Sequence, residues 1–144
     1  QVAGQGAQPL HVPPGRGETH LAFALYQLIH AGLDGTVPLH EVLLRNLPFV
    51  PPASTVVLVS GTVFLDLAAT RDLVEALRSR GARVAFFLVN IFSFPAIGGW
   101  PPPRAEVLEK SREVVFFLRS RGIPVRVLEE PDDLETALGG GWTI

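Results

Sequence analysis

The sequence predicts an α/β fold built on a mostly parallel sheet, and three apolar runs are the main evidence for it. They lie at 54–66, 83–89 and 125–128, and each of the last two follows a helical pattern that ends at a glycine, Gly81 or Gly122. Strands that alternate with helices over short connections form three-layer, Rossmann-like sheets with helices on both faces. We expect the run at 54–66 to be the central, fully buried strand, with parallel neighbours beside it.

Composition narrows the class of protein. The chain has 144 residues, enough for a single domain that spans residues 1–144 and buries its own core. Its net charge of −2 disfavours binding to nucleic acid or to an anionic membrane. The longest apolar run, 84–89, is far shorter than the ~18 residues of a membrane-spanning helix, and the lack of cysteine suits the cytoplasm. The chain also lacks methionine, so we expect it to be a fragment of a longer protein.

Two helices are expected in the first third of the chain. Residues 1–12 predict a small hairpin or edge strand, and a stiff turn at 13–17 leads into a helix over 18–31. The apolar residues that share the inward face of this helix are Leu21, Ala22, Leu25, Leu28 and Ile29. Thr36 is a good N-cap for a short second helix that ends near Asn46.

Three further helices are expected after the first apolar run. The pattern over 67–80 is that of an ordinary crossover helix, with one apolar and one charged face. A longer helix follows over 104–121, and in it Phe116 lies opposite the apolar stripe, among charged residues. Phe116 is therefore a candidate contact residue for a partner. A terminal helix is expected over 131–138.

The connection between the second run and the long helix, residues 90–103, is rich in apolar and aromatic residues. It carries Phe92, Phe94 and Trp100. Loops of this length in compact domains are usually functional or packed over something. The aromatic side chains either contact a protein partner or fold back as a lid on the end of the sheet.

The strand within the 54–66 run is expected to stop at Ser60-Gly61, and this strand end is the second place to look for a site. Ser60, Gly61 and Thr62 lie where a phosphate group is bound in many parallel sheets, through backbone N–H groups. Ser60 is not flanked by the glycines of a nucleophile elbow, so a catalytic triad is not expected. We expect Ser60 and Thr62 at the exposed rim and Val57 in the buried strand.

Three segments together resemble a known family. The run 12–21 contains a proline-glycine-arginine-glycine turn, 35–39 contains Thr36 in a short loop, and 56–59 is an apolar strand. In these segments, and over nearly all of its length, the chain resembles the carboxyl half of the von Willebrand factor A-like bacterial proteins of unknown function. Members of that family are often encoded beside MoxR-type AAA ATPases. The resemblance implies that the first, central strand of the sheet precedes Gln1.

The resemblance also bears on metal binding. In von Willebrand A domains a divalent ion is held by three loops, and Thr36 matches the threonine of the second loop. The position of the third-loop aspartate falls near Ser60, where no aspartate is present, and Asp66 is the nearest alternative carboxylate. We therefore expect a degenerate site at Thr36, Ser60 and Asp66 that binds no metal, and no cofactor elsewhere.

Two functions from different classes fit these observations. The first is a non-enzymatic protein-interaction module that engages a partner, an AAA ATPase by the resemblance, through Phe92, Phe94, Trp100 and Phe116. The second is a small Rossmann-like enzyme that binds a nucleotide or phosphate at Ser60-Gly61-Thr62. The first is favoured because no acid, base or nucleophile lies in a recognisable arrangement. An open strand position and the exposed Phe116 also predict a homo-oligomer.

Overall fold

The computed structural model describes residues 12–30, 37–94 and 104–130. These residues form α1 (Glu18–Ile29), α2 (Leu39–Asn46), β1 (Thr55–Gly61), α3 (Leu67–Ser79), β2 (Arg83–Val89), α4 (Ala105–Ser120) and β3 (Val125–Leu128). Short 3-10 helices follow α2, β1 and β2, at Leu47–Phe49, Thr62–Phe64 and Ile91–Ser93. The predicted strands at 83–89 and 125–128 are confirmed, and the predicted helices agree to within two residues at each described end.

The chain divides into two compact units, Gln1–Val42 and Leu43–Ile144, and each is described by itself. In the first unit, α1 begins after Gly17, whose positive φ of 82° turns the chain into the helix. The face of α1 that was predicted to point inward is exposed, with Leu21 at 58% and Ile29 at 78%. That prediction is wrong for the described residues. Apolar periodicity shows which face of a helix can be buried, but it does not show whether another element covers that face. The predicted hairpin lies outside the described residues.

The second unit contains a three-stranded parallel sheet in the order β1-β2-β3. The middle strand of the described sheet is β2, whose residues from Val84 to Leu88 are all buried. β1 was predicted to be fully buried, and this is wrong, since Val57 is 49% and Val59 is 64% exposed. The reason is geometric: successive side chains point to opposite faces of a strand, and the main core of this unit lies on only one face of β1.

Two helices cover that face of the sheet. Leu58 of β1 and Phe86 of β2 are paired in register and share this face, where both side chains are almost fully buried. The helix side chains in the same core are Leu73, Val74 and Leu77 from α3 and Val114 and Leu118 from α4. The side chain of Arg78 in α3 donates a hydrogen bond to the backbone oxygen of Arg121, 3.1 Å away, and so ties α3 to the end of α4.

The opposite face of the sheet has a smaller apolar cluster. Phe87 of β2 and Leu128 of β3 are each 7% exposed, and the half-buried Val89 and Phe94 pack against them. Helices were predicted on both faces, and the described residues place α3 and α4 on one. The predicted terminal helix, 131–138, lies outside the described residues. None of the helices in the described part of the chain is both long enough and apolar enough to cross a membrane.

Candidate functional site

The carboxyl ends of β2 and β3 are fixed to each other by a group of hydrogen bonds. The backbone N–H of Asn90 donates to the oxygen of Leu128 over 2.9 Å, and its side-chain amide donates to Glu129 Oε1 over 3.1 Å. The hydroxyl of Ser93 donates to the oxygen of Asn90 over 2.8 Å and accepts from the N–H of Glu130 over 2.9 Å. These bonds hold the Glu129 carboxylate at the end of the sheet.

The turn after β1 is joined to α4. Thr62 is 8% exposed, and its backbone oxygen accepts a hydrogen bond from the hydroxyl of Ser111 over 3.3 Å. The same hydroxyl is 2.9 Å from the backbone oxygen of Val107, one turn earlier in α4. Ser111 therefore lies at the point where α4 approaches the end of β1. A buried threonine in this turn also corrects the expectation that Thr62 lies at the exposed rim.

A groove runs along α4 beside these strand ends, and we call it the α4 groove. Its volume is about 550 Å³, which is within the range of ligand and peptide pockets. One stripe of the helix lines it, made of Leu108, Ser111, Arg112, Val115, Phe116 and Arg119. The sheet side is formed by Thr62, Asn90, Val127 and Glu129. The groove therefore combines three apolar and three polar or charged side chains of α4 with polar groups at three strand ends.

Phe116 is the most exposed apolar side chain of this groove. It is 75% exposed, which confirms the prediction that it lies opposite the apolar stripe of its helix. Arg112 lies one turn before it and Arg119 nearly one turn after it, so the three side chains share one side of α4. An aromatic ring between two guanidinium groups is a combination that protein interfaces favour.

The charges of the groove are unequal. Arg112 and Arg119 bring two positive charges, and Glu129 brings one negative charge. The Glu129 carboxylate accepts a hydrogen bond from Asn90, so part of its hydrogen-bonding capacity is used within the fold. Within the described part of the chain, neither arginine side chain has a hydrogen bond or ion pair. The lining of the groove therefore has one more positive than negative side chain.

The chain matches no protein-family model, and no curated protein or solved structure is significantly similar to it.

The Ser60-Gly61-Thr62 segment lacks the features of a phosphate-binding loop. The Ser60 hydroxyl is 3.3 Å from the backbone oxygen of Gly61, and Thr62 begins a 3-10 helix of only three residues. A side chain at Gly61 would collide with Phe64, because a Cβ there would lie 2.8 Å from the ring. Glycine is thus explained at this position by close packing.

Two of the three residues proposed for a degenerate metal site lie in the described part of the chain, Ser60 and Asp66. Asp66 is the N-cap of α3, where its carboxylate accepts from the N–H of Ala69 over 2.9 Å. Ser60 is half-buried in β1, and Thr36 lies outside the described residues. Among the described residues, no group of three or more histidine, aspartate or glutamate side chains is arranged to hold a metal ion.

The four aromatic residues chosen from the sequence have different surroundings. Phe116 is exposed, whereas Phe94 is half-buried against Phe87 and Leu128, so the loop after β2 folds back on the sheet at that point. Phe92 is half-buried within a 3-10 helix, and Trp100 lies outside the described residues.

Sequence reasoning placed Phe116 among charged residues of its helix but did not connect it with Asn90, Ser111 or Glu129. The spacing of 112, 116 and 119 on one helix side was the available signal. The strand-end residues gave none, because their position opposite α4 depends on how the helix packs on the sheet.

Proposed function

We propose that this chain is a non-enzymatic protein-interaction module that docks its partner in the α4 groove. The observation that carries the proposal is Phe116, which is 75% exposed and lies between Arg112 and Arg119 on the wall of the groove. A large exposed aromatic side chain costs solubility unless a partner covers it. Aromatic and arginine side chains also supply most of the binding energy in many interfaces.

The rigid base of the groove supports the same function. Ser111 contacts the turn after β1, and the Asn90 hydrogen bonds join the end of β2 to the end of β3. A docking surface whose backbone is already ordered loses little conformational entropy when the partner binds. The affinity of the module then depends on a few side chains of α4.

The partner we propose is an AAA ATPase of the MoxR type, and the architecture a von Willebrand A-like sheet with a degenerate metal site. Both come from the resemblance of 12–21, 35–39 and 56–59 to that bacterial family. The parallel sheet with α3 and α4 on one face is compatible with this architecture.

Binding to a purified MoxR-type AAA ATPase from the same genome tests the proposal. The chain is immobilised, and the affinity for the ATPase is measured by biolayer interferometry with and without ATP. We expect Phe116→Ala to weaken binding by about tenfold or more, since an aromatic hot spot contributes ~1–2 kcal/mol. Phe49→Ala is the matched control, because Phe49 is also 75% exposed and lies in the same unit, between α2 and β1.

Two results would contradict the proposal. Equal weakening by Phe116→Ala and Phe49→Ala would show that the α4 groove is not the docking surface. If the wild-type chain does not bind the ATPase, this ATPase is not its partner. Thermal melts of each variant show whether it is folded before its affinity is interpreted.

The second function, a nucleotide- or phosphate-binding enzyme at Ser60-Gly61-Thr62, has less support. The segment leads into a single 3-10 turn, and the N-terminus of the next α-helix is capped by Asp66. A carboxylate at that position repels a phosphate group.

A further inference from the structure

We infer that the α4 groove selects an acidic partner segment, with two carboxylates about 10 Å apart and an apolar side chain between them. The inference rests on the proposed function and specifies the chemistry of the segment that docks. It follows from the spacing of three side chains on α4 and from the charge of the groove.

The spacing of the two arginines sets the distance between the carboxylates. Arg112 and Arg119 are seven residues apart in a continuous α-helix, so their Cα atoms are separated by ~10.5 Å along its axis. Three residues of a polyproline II segment cover about the same distance, at ~3.1 Å each, and its three-residue turn brings positions i and i+3 to the same side. Two acidic residues at positions i and i+3 of such a segment therefore match the two guanidinium groups. A guanidinium group also binds a carboxylate through two parallel hydrogen bonds.

The surface between the arginines sets the apolar requirement. Phe116 lies between them, and Val115 and Leu108 continue the apolar surface into the groove. An aliphatic side chain at i+1 or i+2 of the partner segment covers the Phe116 ring and shields the edge of that ring from water. The carboxylates then act in a partly dehydrated groove, where an ion pair is stronger than on an open surface.

The charge of the groove sets the sign of the partner. The whole chain has a net charge of −2, whereas the groove carries two arginines against one glutamate. The acidic residues of α4 that flank Arg112, Glu109 and Glu113, do not line the groove. Glu129 lies at the strand ends, where Asn90 holds it. An acidic segment in the groove is therefore attracted by the two arginines of α4 and repelled by Glu129 at the sheet side, whereas Glu109, two turns before Phe116 on the same side of the helix, lies outside the groove lining.

Short capped peptides test this directly. One fluorescent peptide contains Glu-Leu-Leu-Glu, a second contains Gln-Leu-Leu-Gln, and a third places both glutamates together before the leucines. Their affinities for the whole chain are measured by fluorescence anisotropy at low salt and in ~0.5 M salt. We expect the first peptide to bind about tenfold more tightly than the second, and more tightly than the third, at low salt. High salt should remove most of the difference.

Variants of the chain show whether the groove is responsible. Arg112→Gln and Arg119→Gln should each reduce the preference for the acidic peptide by several-fold. Lys110→Gln is the matched control, since it removes an exposed positive charge from the same helix but outside the groove, and it should keep the preference. Glu129→Gln should bind the acidic peptide more tightly, a gain that a purely structural role of Glu129 does not produce.

Three outcomes would overturn the inference: no binding of the Glu-Leu-Leu-Glu peptide, equal affinities for the acidic and amide peptides, or a loss in Lys110→Gln as large as in the arginine variants. If the ATPase docks through Phe116 while the peptides show no acidic preference, this inference fails and the proposed function stands. If the preference is found but the ATPase does not bind, the chemistry of the groove stands and the partner is a different protein.

Discussion

The backbone N–H of Ala53 donates a hydrogen bond to the backbone oxygen of Gly81 over 3.2 Å, and both residues have a positive φ. The two angles are 60° for Ala53 and 75° for Gly81. The bond joins the segment before β1 to the end of α3, next to the position where Arg83 N–H donates to the oxygen of Ser54 over 2.8 Å. Two left-handed residues therefore set the start of the β1-β2 ladder.

Exchanging alanine and glycine at these two positions should change the stability of the fold in opposite directions. Ala53→Gly should stabilise the fold by ~0.5–1 kcal/mol, because a left-handed alanine costs ~1–2 kcal/mol and the greater freedom of glycine in the unfolded chain offsets part of that gain. Gly81→Ala should destabilise it by ~1 kcal/mol for the same conformational reason. A Cβ at Gly81 would be 3.9 Å from its nearest neighbour, the nitrogen of Ala53, so no collision adds to the cost. Urea unfolding measures both changes.

The control for this pair is an alanine in a regular helix. Ala68→Gly, at an exposed position in the first turn of α3, should destabilise the fold by up to ~1 kcal/mol, as glycine does in helices. If Ala53→Gly is destabilised to the same degree as Ala68→Gly, the backbone at Ala53 is not left-handed in solution.

The two faces of β1 predict different costs of truncation. Leu58 is 4% exposed within the core under α3 and α4, so Leu58→Ala should lower the free energy of unfolding by ~2–4 kcal/mol. Val57 is 49% exposed, and Val57→Ala should cost less than ~1 kcal/mol. The sequence alone favoured a buried Val57. Denaturant melts decide between the two, and a larger loss at Val57 than at Leu58 would reverse the assignment of the faces.

Sequence patterns predicted the positions of the helices and strands more accurately than they predicted which elements pack beside one another. The strand at 83–89 was predicted with its observed bounds, because a short continuous apolar run between Gly81 and the polar Asn90 fits few structures other than a buried strand. Local sequence did not distinguish β1 from β2, since both are apolar and of equal length. Which strand lies in the middle depends on the order of pairing, and that is a property of the whole sheet.

The candidate site was predictable only in part, for the same reason. Phe116 was recognised because it breaks the apolar period of its own helix. Thr62, Ser111 and Asn90 belong to the site through contacts between elements distant in sequence, such as the 3.3 Å approach of the Ser111 hydroxyl to the oxygen of Thr62. No spacing rule within one element contains that information.

Titration with Mg²⁺ and Mn²⁺ should give no sub-millimolar binding. Both ions require several oxygen ligands with carboxylate charge, and the Asp66 carboxylate already caps α3 through Ala69. Isothermal titration calorimetry of the whole chain measures this. Heat of binding that disappears in Asp66→Asn but persists in Asp72→Asn, an exposed aspartate of the same helix, would contradict the prediction and restore the von Willebrand A-like metal site.

The exposed side of β1 predicts that the chain self-associates. In the described sheet β1 pairs only with β2, and its seven residues, Thr55–Gly61, carry no charge or proline to prevent further strand pairing. An antiparallel pairing of two copies about Leu58 places Val57 of each opposite Val59 of the other, so their exposed side chains lie on one face. Light scattering should therefore give a mass above that of a monomer at micromolar concentration.

Val59→Lys should return the mass to that of a monomer, because the charge would lie among apolar side chains. Leu44→Lys, at a 38% exposed position of α2, should not. Monomeric wild-type chain, or equal masses for the two lysine variants, would contradict pairing through β1, and a loss of association in Phe116→Glu alone would assign it to the α4 groove.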